Sequence, residues 1–362
     1  MIRENPIDKL ISKRVGWLID SGPDDDIAIS SRIRLARNLE GIRFPPGASV
    51  DELNSIIENV KTACQNISIL EKFFFVELKD LSHLDRRILI ERRIVSRDFV
   101  SKQTPSALIV SEDESESIMI NEEDHLRLQC VQSGLQLNEI WSRINSLDDM
   151  LSERLNLAYD DELGYLTSCP TNIGTGMRAS VMLHLPGLVL SEQIHQMKQA
   201  VNKLGLAVRG IFGEGTDNVG NLFQISNQST LGESESQIIE KIDTVIKQII
   251  IHEKQSRLGI LEKNKSFLMN HVGRAYGILK HGYIISSEEA LNSLSALRLG
   301  VDMGMFSSID IHTVNELFVL VQPGHLQRYA GKEIKEASER DILRASIIRE
   351  KIKEARKSKE KN

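Results

Sequence analysis

The apolar positions of the chain follow two kinds of period. Residues 51–67, "DELNSIIENVKTACQNI", carry Ile56, Ile57, Val60, Cys64 and Ile67 at helical spacing, which predicts a helix. "FFFVEL" reads as a short strand and residues 81–95 as an arginine-rich helix. "ALIVS", "SIMIN" and "HLRLQCV" then read as strands. The gaps between them are of hairpin length, which favours antiparallel pairing over a doubly wound sheet. In the last of these, Leu126, Leu128 and Cys130 alternate inward against Arg127 and Gln129. A helix is expected over 135–157, a strand at "RASVMLHL", a helix over 191–204, and strands at "LAVRGIF" and "GNLFQIS". A long amphipathic helix is predicted over 234–256 through Ile238, Ile242, Val245 and Ile249. The first fifty residues read as irregular, because "SGPDDD" and "RFPPG" break any period. Past residue 257 helical segments dominate. The pattern predicts an α+β protein, with a mainly antiparallel sheet flanked by helices over residues 1–257 and a C-terminal helical domain over 258–362.

The length of 362 residues accommodates two such domains. A formal net charge of −6 argues against a direct nucleic-acid partner or an anionic membrane surface. No segment reaches about 18 uninterrupted apolar residues, and the charged N-terminus does not read as a signal peptide. Cys64, Cys130 and Cys169 are odd in number and far apart, which fits a reducing cytoplasm and excludes a disulfide framework or a cysteine-only zinc site. No protein-held metal is expected. The basic tail "EKIKEARKSKEKN" reads as a frayed helix end.

Candidate chemistry lies in arginines beside glycine or serine: Arg32 and Arg34 in "SSRIRLARN", Arg127 in "EEDHLRLQ", Arg178 in "GTGMRAS" and Arg209 in "VRGIFGEG". Arg32 and Arg34 share a face if the segment is extended. The guanidinium fork binds phosphate bidentately and stays charged, which suits a polyanion such as ATP. Any one of these arginines alone reads as a surface residue, and it is the five together in glycine- or serine-containing motifs that point to a site. The glycines of "NIGTGM" permit close backbone approach, as phosphate loops require, but there is no Walker A lysine and a strand rather than a helix follows. "NEEDHLR" sets Glu122, Glu123 and Asp124 together. Such a cluster is either a solvated acidic turn or faces a cation. His125 reads as structural, and Cys169 on residue type alone as a small buried side chain.

Together, "SSRIRLARN", "NEEDHLR", "CPTNIGTGMRAS" and "RGIFGEGTDNVGNLFQISN" resemble, in order, the signatures of the phosphagen (guanidino) kinase family, over residues 27–257. The narrower likeness is to its bacterial protein arginine kinases. The first signature begins at Ser30, leaving no room for the helical N-terminal domain of creatine and arginine kinases, and "RDILRA" at 340–345 is similar to a phosphoarginine-binding allosteric motif. The resemblance implies ATP with Mg²⁺. It implies a nucleotide site lined by Ser30, Ser31, Arg32, Ile33 and Arg34, by Arg127, by Arg178, Ala179, Ser180, Val181 and Met182, and by Arg209, Gly210, Ile211, Phe212, Gly213 and Glu214. Glu123 is implied as the base, with Glu122 and Glu214 beside it and Cys169 as the thiol near the substrate guanidinium. Arg340, Asp341, Ile342, Leu343, Arg344 and Ala345 are implied as the allosteric site. Implied partners are proteins with exposed arginine, a McsA-like activator, Clp unfoldase/protease machinery, a stress-response repressor and a second copy as homodimer. Two positions depart from the family pattern. Arg93 stands where a histidine near the adenine is common and is kept as a nucleotide contact. Thr230 stands where small-phosphagen kinases usually carry arginine. The alternatives are a kinase for free arginine or another small guanidino compound, and a non-enzymatic phosphoarginine-binding regulator.

Overall fold

The structure is a computed structural model and describes residues 6–11, 13–65, 67, 72–212 and 219–359. Short helices α1 (Pro6–Ile11) and α2 (Gly16–Ile19) lead into strand β1 (Ala28–Arg37). This strand corrects the reading of the first fifty residues as irregular. It escapes a hydropathy pattern because Ser30, Ser31 and Arg37 are buried beside Ile29, Ile33 and Leu35. Distant partners satisfy these polar groups, as burial requires. Ser31 Oγ donates to Gly134 O at 2.7 Å, and Arg37 forks onto Asp148, with Nη2 2.7 Å from Oδ2.

Helix α3 (Val50–Cys64) starts at a capping box between Ser49 and Glu52 and buries Ile56, Ile57 and Val60. Strand β2 (Phe73–Glu77) and helix α4 (His83–Glu91) follow. α4 stops before residue 95 because Arg93 adopts φ 60°, a left-handed backbone that ends helices. α5 (Arg97–Ser101) is a separate turn capped by Ser96. β3 (Ala107–Ser111), β4 (Glu116–Ile120) and β5 (Leu126–Ser133) form the expected antiparallel run, with Ile109 opposite Ile118 and Ile118 opposite Leu128. β5 also pairs antiparallel with β1, setting Arg34 opposite Gln129 and Ala36 opposite Arg127. α6 (Leu137–Ser152) is shorter than the predicted helix. It is followed by β6 (Tyr159–Asp160), β7 (Gly164–Tyr165), β8 (Met177–His184), α7 (Pro186–Leu190), α8 (Ile194–Lys203), β9 (Leu206–Phe212) and β10 (Val219–Asn227). The main sheet has eight strands in the order β2-β3-β4-β5-β1-β8-β10-β9.

The rest is helical: α9 (Glu235–Lys263), α10 (Lys265–His281), α11 (Ser287–Asp302), α12 (Ile311–Leu320), α13 (Pro323–Ala330) and α14 (Ala337–Lys359). The expected boundary at residue 257 lies inside α9, where Arg257 Nε is 2.7 Å from Glu253 one turn back. By its contacts the chain forms two compact units. One comprises residues 1–17, 30–181 and 226–244, the other 18–29, 182–225 and 245–362. No helix among the described residues is long and apolar enough to cross a membrane.

In the first unit, Leu89, Phe99, Leu108, Val110 and Met119 anchor an apolar core that also takes in Ile7 and Leu10. The second unit has a buried polar centre. The Arg298 guanidinium is fully buried and donates to Asn315 Oδ1 at 3.0 Å, Asp25 O at 2.6 Å and Asp26 O at 2.8 Å, and meets Asp302 at 3.3 Å. Its Nη1 also lies 3.0 Å from His184 Nδ1. Arginine only donates, so Nδ1 accepts and Nε2–H faces Ser295 Oγ at 2.8 Å. Burial, then the Arg298 and Arg257 charges, hold the His184 pKa well below its ordinary value, consistent with that neutral ring.

Candidate active site

The β4–β5 hairpin turns through Asn121, at φ 61°, whose amide side chain donates to Leu53 O and Pro105 O. The following carboxylates receive different environments. Glu122 is 1% exposed. Its Oε1 accepts from Ser96 Oγ at 2.5 Å and Arg127 Nη1 at 2.6 Å, and its Oε2 from Glu123 N at 2.7 Å. The Glu123 side chain is 42% exposed and meets Arg127 Nη2 at 3.1 Å. Partial burial raises its pKa. Arg127 opposes the shift, and Asp124 and Glu122 add to it. Glu122 is therefore an anchor for Arg127, and Glu123 is the more exposed of the two carboxylates.

Asp124 is fully buried. Its Oδ1 accepts from Asn38 Nδ2 and from Ser168 N, both at 2.7 Å, tying the carboxylate turn to the residue before Cys169. His125 is structural, as expected. Its Nδ1 accepts from Leu39 N at 2.9 Å, so its Nε2–H donates to Arg43 O at 3.0 Å. Burial lowers its pKa, which keeps this neutral tautomer.

The alternation of β1 puts Arg32 and Arg34 on one face and buries Ser31, Ile33 and Leu35 on the other. Arg127 and Arg178 project near them. Burial, then the charges of Arg178 and Arg127, push the Arg32 guanidinium down to about 10. Burial and then Arg32, Arg127 and Arg178 push Arg34 well below its usual value, with Glu122 opposing. Arg93 is pushed down to about 9 by burial, Arg32 and Arg97. These guanidinia stay charged near neutral pH, so the shifts describe a concentrated positive field suited to a polyanion. Arg178 Nη2 donates to Ser226 Oγ at 3.2 Å. The implied neighbours Ser30, Ala179, Ser180, Val181 and Met182 are buried. Arg209 is exposed and Gly210 half-buried on β9. Ile211 and Phe212 are the last residues of that strand. Gly213, Glu214 and the rest of 213–218 lie outside the described residues.

Cys169 is half-buried, with Sγ 3.0 Å from Thr171 Oγ1. Its loop is held at both ends. Asp124 binds its entry at Ser168. Arg37 Nη1 donates to Thr175 O at 3.0 Å at its exit, and the Arg37 guanidinium stacks 3.4 Å from the Tyr165 ring centroid. The glycines of "NIGTGM" make room for neighbouring backbone. A Cβ on Gly176 would lie 2.6 Å from Ala36 O, and one on Gly174, at φ +108°, would collide with Thr230 O. Gly174→Ala should accordingly cost about 1–3 kcal/mol in strain, read as a lower denaturation midpoint together with lost transfer activity. An unchanged midpoint would contradict this packing.

Arg37, Asn38, Asp124 and Ser96 were not singled out from sequence as positioning residues. Arg37 left a signal: it lies on the core-facing parity of β1, where an arginine demands a buried acid. The "RDILRA" residues lie on α14 as a helix, but their arginines differ. Arg344 is buried and donates to Val321 O and Ile285 O, both at 2.9 Å, and to Asp341. Arg340, half-buried, donates to Ile334 O at 2.8 Å and Lys335 O at 2.6 Å. Ile342 is 50% exposed, Leu343 half-buried and Ala345 buried.

A cationic cluster and a half-exposed carboxylate lie together at the β1–β5 part of the antiparallel sheet, and a half-buried thiol sits in the loop that Asp124 ties to that turn. The model of the ATP:guanido phosphotransferase C-terminal catalytic domain matches residues 55–256, and that of the protein-arginine kinase McsB C-terminal domain matches residues 265–362. The chain belongs to the phosphagen kinase family, whose phosphoryl donor is ATP. Within that family it is an enzyme of the protein arginine kinase type. It is 46% identical over 349 residues to the protein-arginine kinase of Halalkalibacterium halodurans, covering 96% of this chain and 98% of that one. The Bacillus subtilis protein-arginine kinase is 45% identical over 338 residues, 93% of each. Among solved structures, a lombricine kinase aligns with TM-score 0.59 at 26% identity over 69% of this chain and 71% of its own. The duplicated taurocyamine kinase from Schistosoma mansoni with bound transition-state-analog components aligns with TM-score 0.59 at 25% identity over 73% of this chain and 40% of its own.

Proposed function

We propose that the chain transfers the γ-phosphoryl group of Mg-ATP to arginine side chains of proteins, with Glu123 as the base. The observation carrying this reading is the crowding of Arg32, Arg127 and Arg178 about Arg34, with Arg127 bonded to buried Glu122 and to half-exposed Glu123. Phosphoryl transfer is largely positioning and charge stabilisation. The arginines hold the phosphates and balance the charge spread over the transferred group. Glu123 orients the substrate guanidinium and accepts the proton its nitrogen loses as the P–N bond forms. Arg127, locked by Glu122, links the phosphate-binding field to that carboxylate. Cys169 lies near the same guanidinium in this reading. No group of three or more His, Cys, Asp or Glu among the described residues could hold a metal, so Mg²⁺ fits as a cation carried by the triphosphate and water. When bound, it neutralises phosphate charge.

The name shared by the curated relatives supports a protein substrate. In this reading phosphoarginine marks proteins for Clp-type proteolysis and controls a stress-response repressor, with a McsA-like activator and a homodimeric state. The 340–345 segment then senses phosphoarginine. Asp341 is the residue at which a ligand guanidinium would compete with Arg344. Asp341→Ala should abolish activation by phosphoarginine and spare ATP binding, measured as transfer rate against added phosphoarginine. Unchanged activation rejects the assignment.

The deciding experiment offers purified protein and Mg-ATP either free L-arginine or an unfolded arginine-rich protein. Acid-labile label on the protein alone is expected. Label on free arginine alone would move the assignment to a small-guanidino kinase. Label on neither, even with activator added, would leave a regulator without transfer activity.

A further inference from the structure

Thr230 follows β10 and is 5% exposed. Its Oγ1 lies 2.9 Å from Thr171 O and 2.7 Å from Ile173 O, so one hydroxyl proton is shared between two backbone acceptors. Its carbonyl accepts from Thr175 N at 3.0 Å and from Thr175 Oγ1 at 3.3 Å. The same carbonyl fills the space where Gly174 lacks a Cβ. Thr230 thus holds the middle of the loop whose entry Asp124 fixes and whose exit Arg37 fixes. Thr171, pinned through its carbonyl, presents its hydroxyl 3.0 Å from Cys169 Sγ.

We infer that Thr230 is a positioning residue for Cys169. Its hydroxyl sets the backbone of residues 171–173, that backbone sets the Thr171 side chain, and Thr171 Oγ1 directs the thiol sulfur. This rests on the reading of Cys169 as a group beside the substrate guanidinium. A buried threonine serves stability through its methyl group and through its hydroxyl bonds, but stability alone would leave thiol reactivity and the kcat of the folded protein unmoved. Positioning predicts that losing the hydroxyl alters both in protein that is still folded, and that difference is measurable.

The test compares Thr230→Val, which keeps the shape and removes the hydroxyl, with Thr230→Ser, which restores it. Cys169 alkylation by iodoacetamide at one fixed pH is followed on its own peptide by mass spectrometry, so Cys64 and Cys130 do not interfere. Steady-state phosphorylation of an unfolded protein substrate is measured in parallel. Thr230→Val should change the alkylation rate by at least about fivefold, because access and environment control thiol reactivity. It should lower kcat by roughly tenfold to a hundredfold with KM for ATP little changed, as misplacement of a catalytic group does. Thr230→Ser should recover both. Wild-type alkylation and kcat in Thr230→Val would overturn the inference, and so would an equal loss in Thr230→Ser. If Thr230→Val fails to fold by circular dichroism, Thr171→Val cuts the same chain at the sulfur end and carries the same expectation. There, an unchanged alkylation rate overturns it. Cys169→Ala separates the two readings: full activity in that variant removes the role of the thiol in transfer, while the alkylation result still reports on the loop.

Discussion

Glu123→Gln is expected to lower phosphoryl transfer to protein arginine by about 10²–10⁴-fold, the usual contribution of a general base, and to leave nucleotide binding intact. The substitution keeps the size of the side chain and removes its charge and its capacity to take a proton. Glu122 cannot substitute, since Ser96, Arg127 and the Glu123 amide already occupy its oxygens. The remaining activity should also lose its acid limb. A base works only when ionised, so the wild-type rate falls as pH drops through the Glu123 pKa. Partial burial and the Asp124 and Glu122 charges raise that pKa above the ordinary carboxylate value, against the pull of Arg127. The limb should therefore lie at higher pH than for a free glutamate. Initial rates across pH for both proteins, with ATP affinity measured alongside, decide it. Full activity in Glu123→Gln would reject the role.

Arg298→Ala should produce the largest loss of stability, about 3–5 kcal/mol, because it leaves buried partners of a charge network uncompensated. The guanidinium joins α11 to Asn315 on α12, to the carbonyls of Asp25 and Asp26 and to His184 at the end of β8. Among the described residues, Asp302 would keep its ion pair with Arg257, at 3.4 Å. Arg298→Lys should recover little, since one ammonium cannot reproduce the planar fork that reaches these acceptors. Urea unfolding followed by circular dichroism checks both variants, and a midpoint unmoved by Arg298→Ala would show the network to be dispensable.

The local elements were readable where period and propensity agreed. The β3–β5 run has short β-branched segments with hairpin gaps, so its pairing needed no tertiary information. β1 was hidden because its inward parity carries Ser31 and Arg37, which are buried only by virtue of Gly134 and Asp148 more than a hundred residues away. α4 was overextended because nothing in "ERRIVS" announces that Arg93 takes a left-handed backbone. The boundary near residue 257 came from a change in composition. Residue 257 itself lies within α9, where Arg257 pairs with Glu253 and Asp302 inside the second unit.

The sequence alone determined the chemistry on offer. Arginines at alternate positions of an extended segment must share a face, and adjacent carboxylates in a hairpin turn must lie together, whatever the rest of the chain does. Its four ordered signatures also determined the family. Which of two neighbouring glutamates is buried and bonded and which stays exposed was decided only by the tertiary structure, through Ser96 and Arg127 arriving from separate elements. The same holds for the glycines of the cysteine loop, whose purpose is set by the carbonyls of Thr230 and Ala36. Burial and hydrogen-bond partners are properties of residues brought together from distant parts of the chain, so no local pattern can specify them.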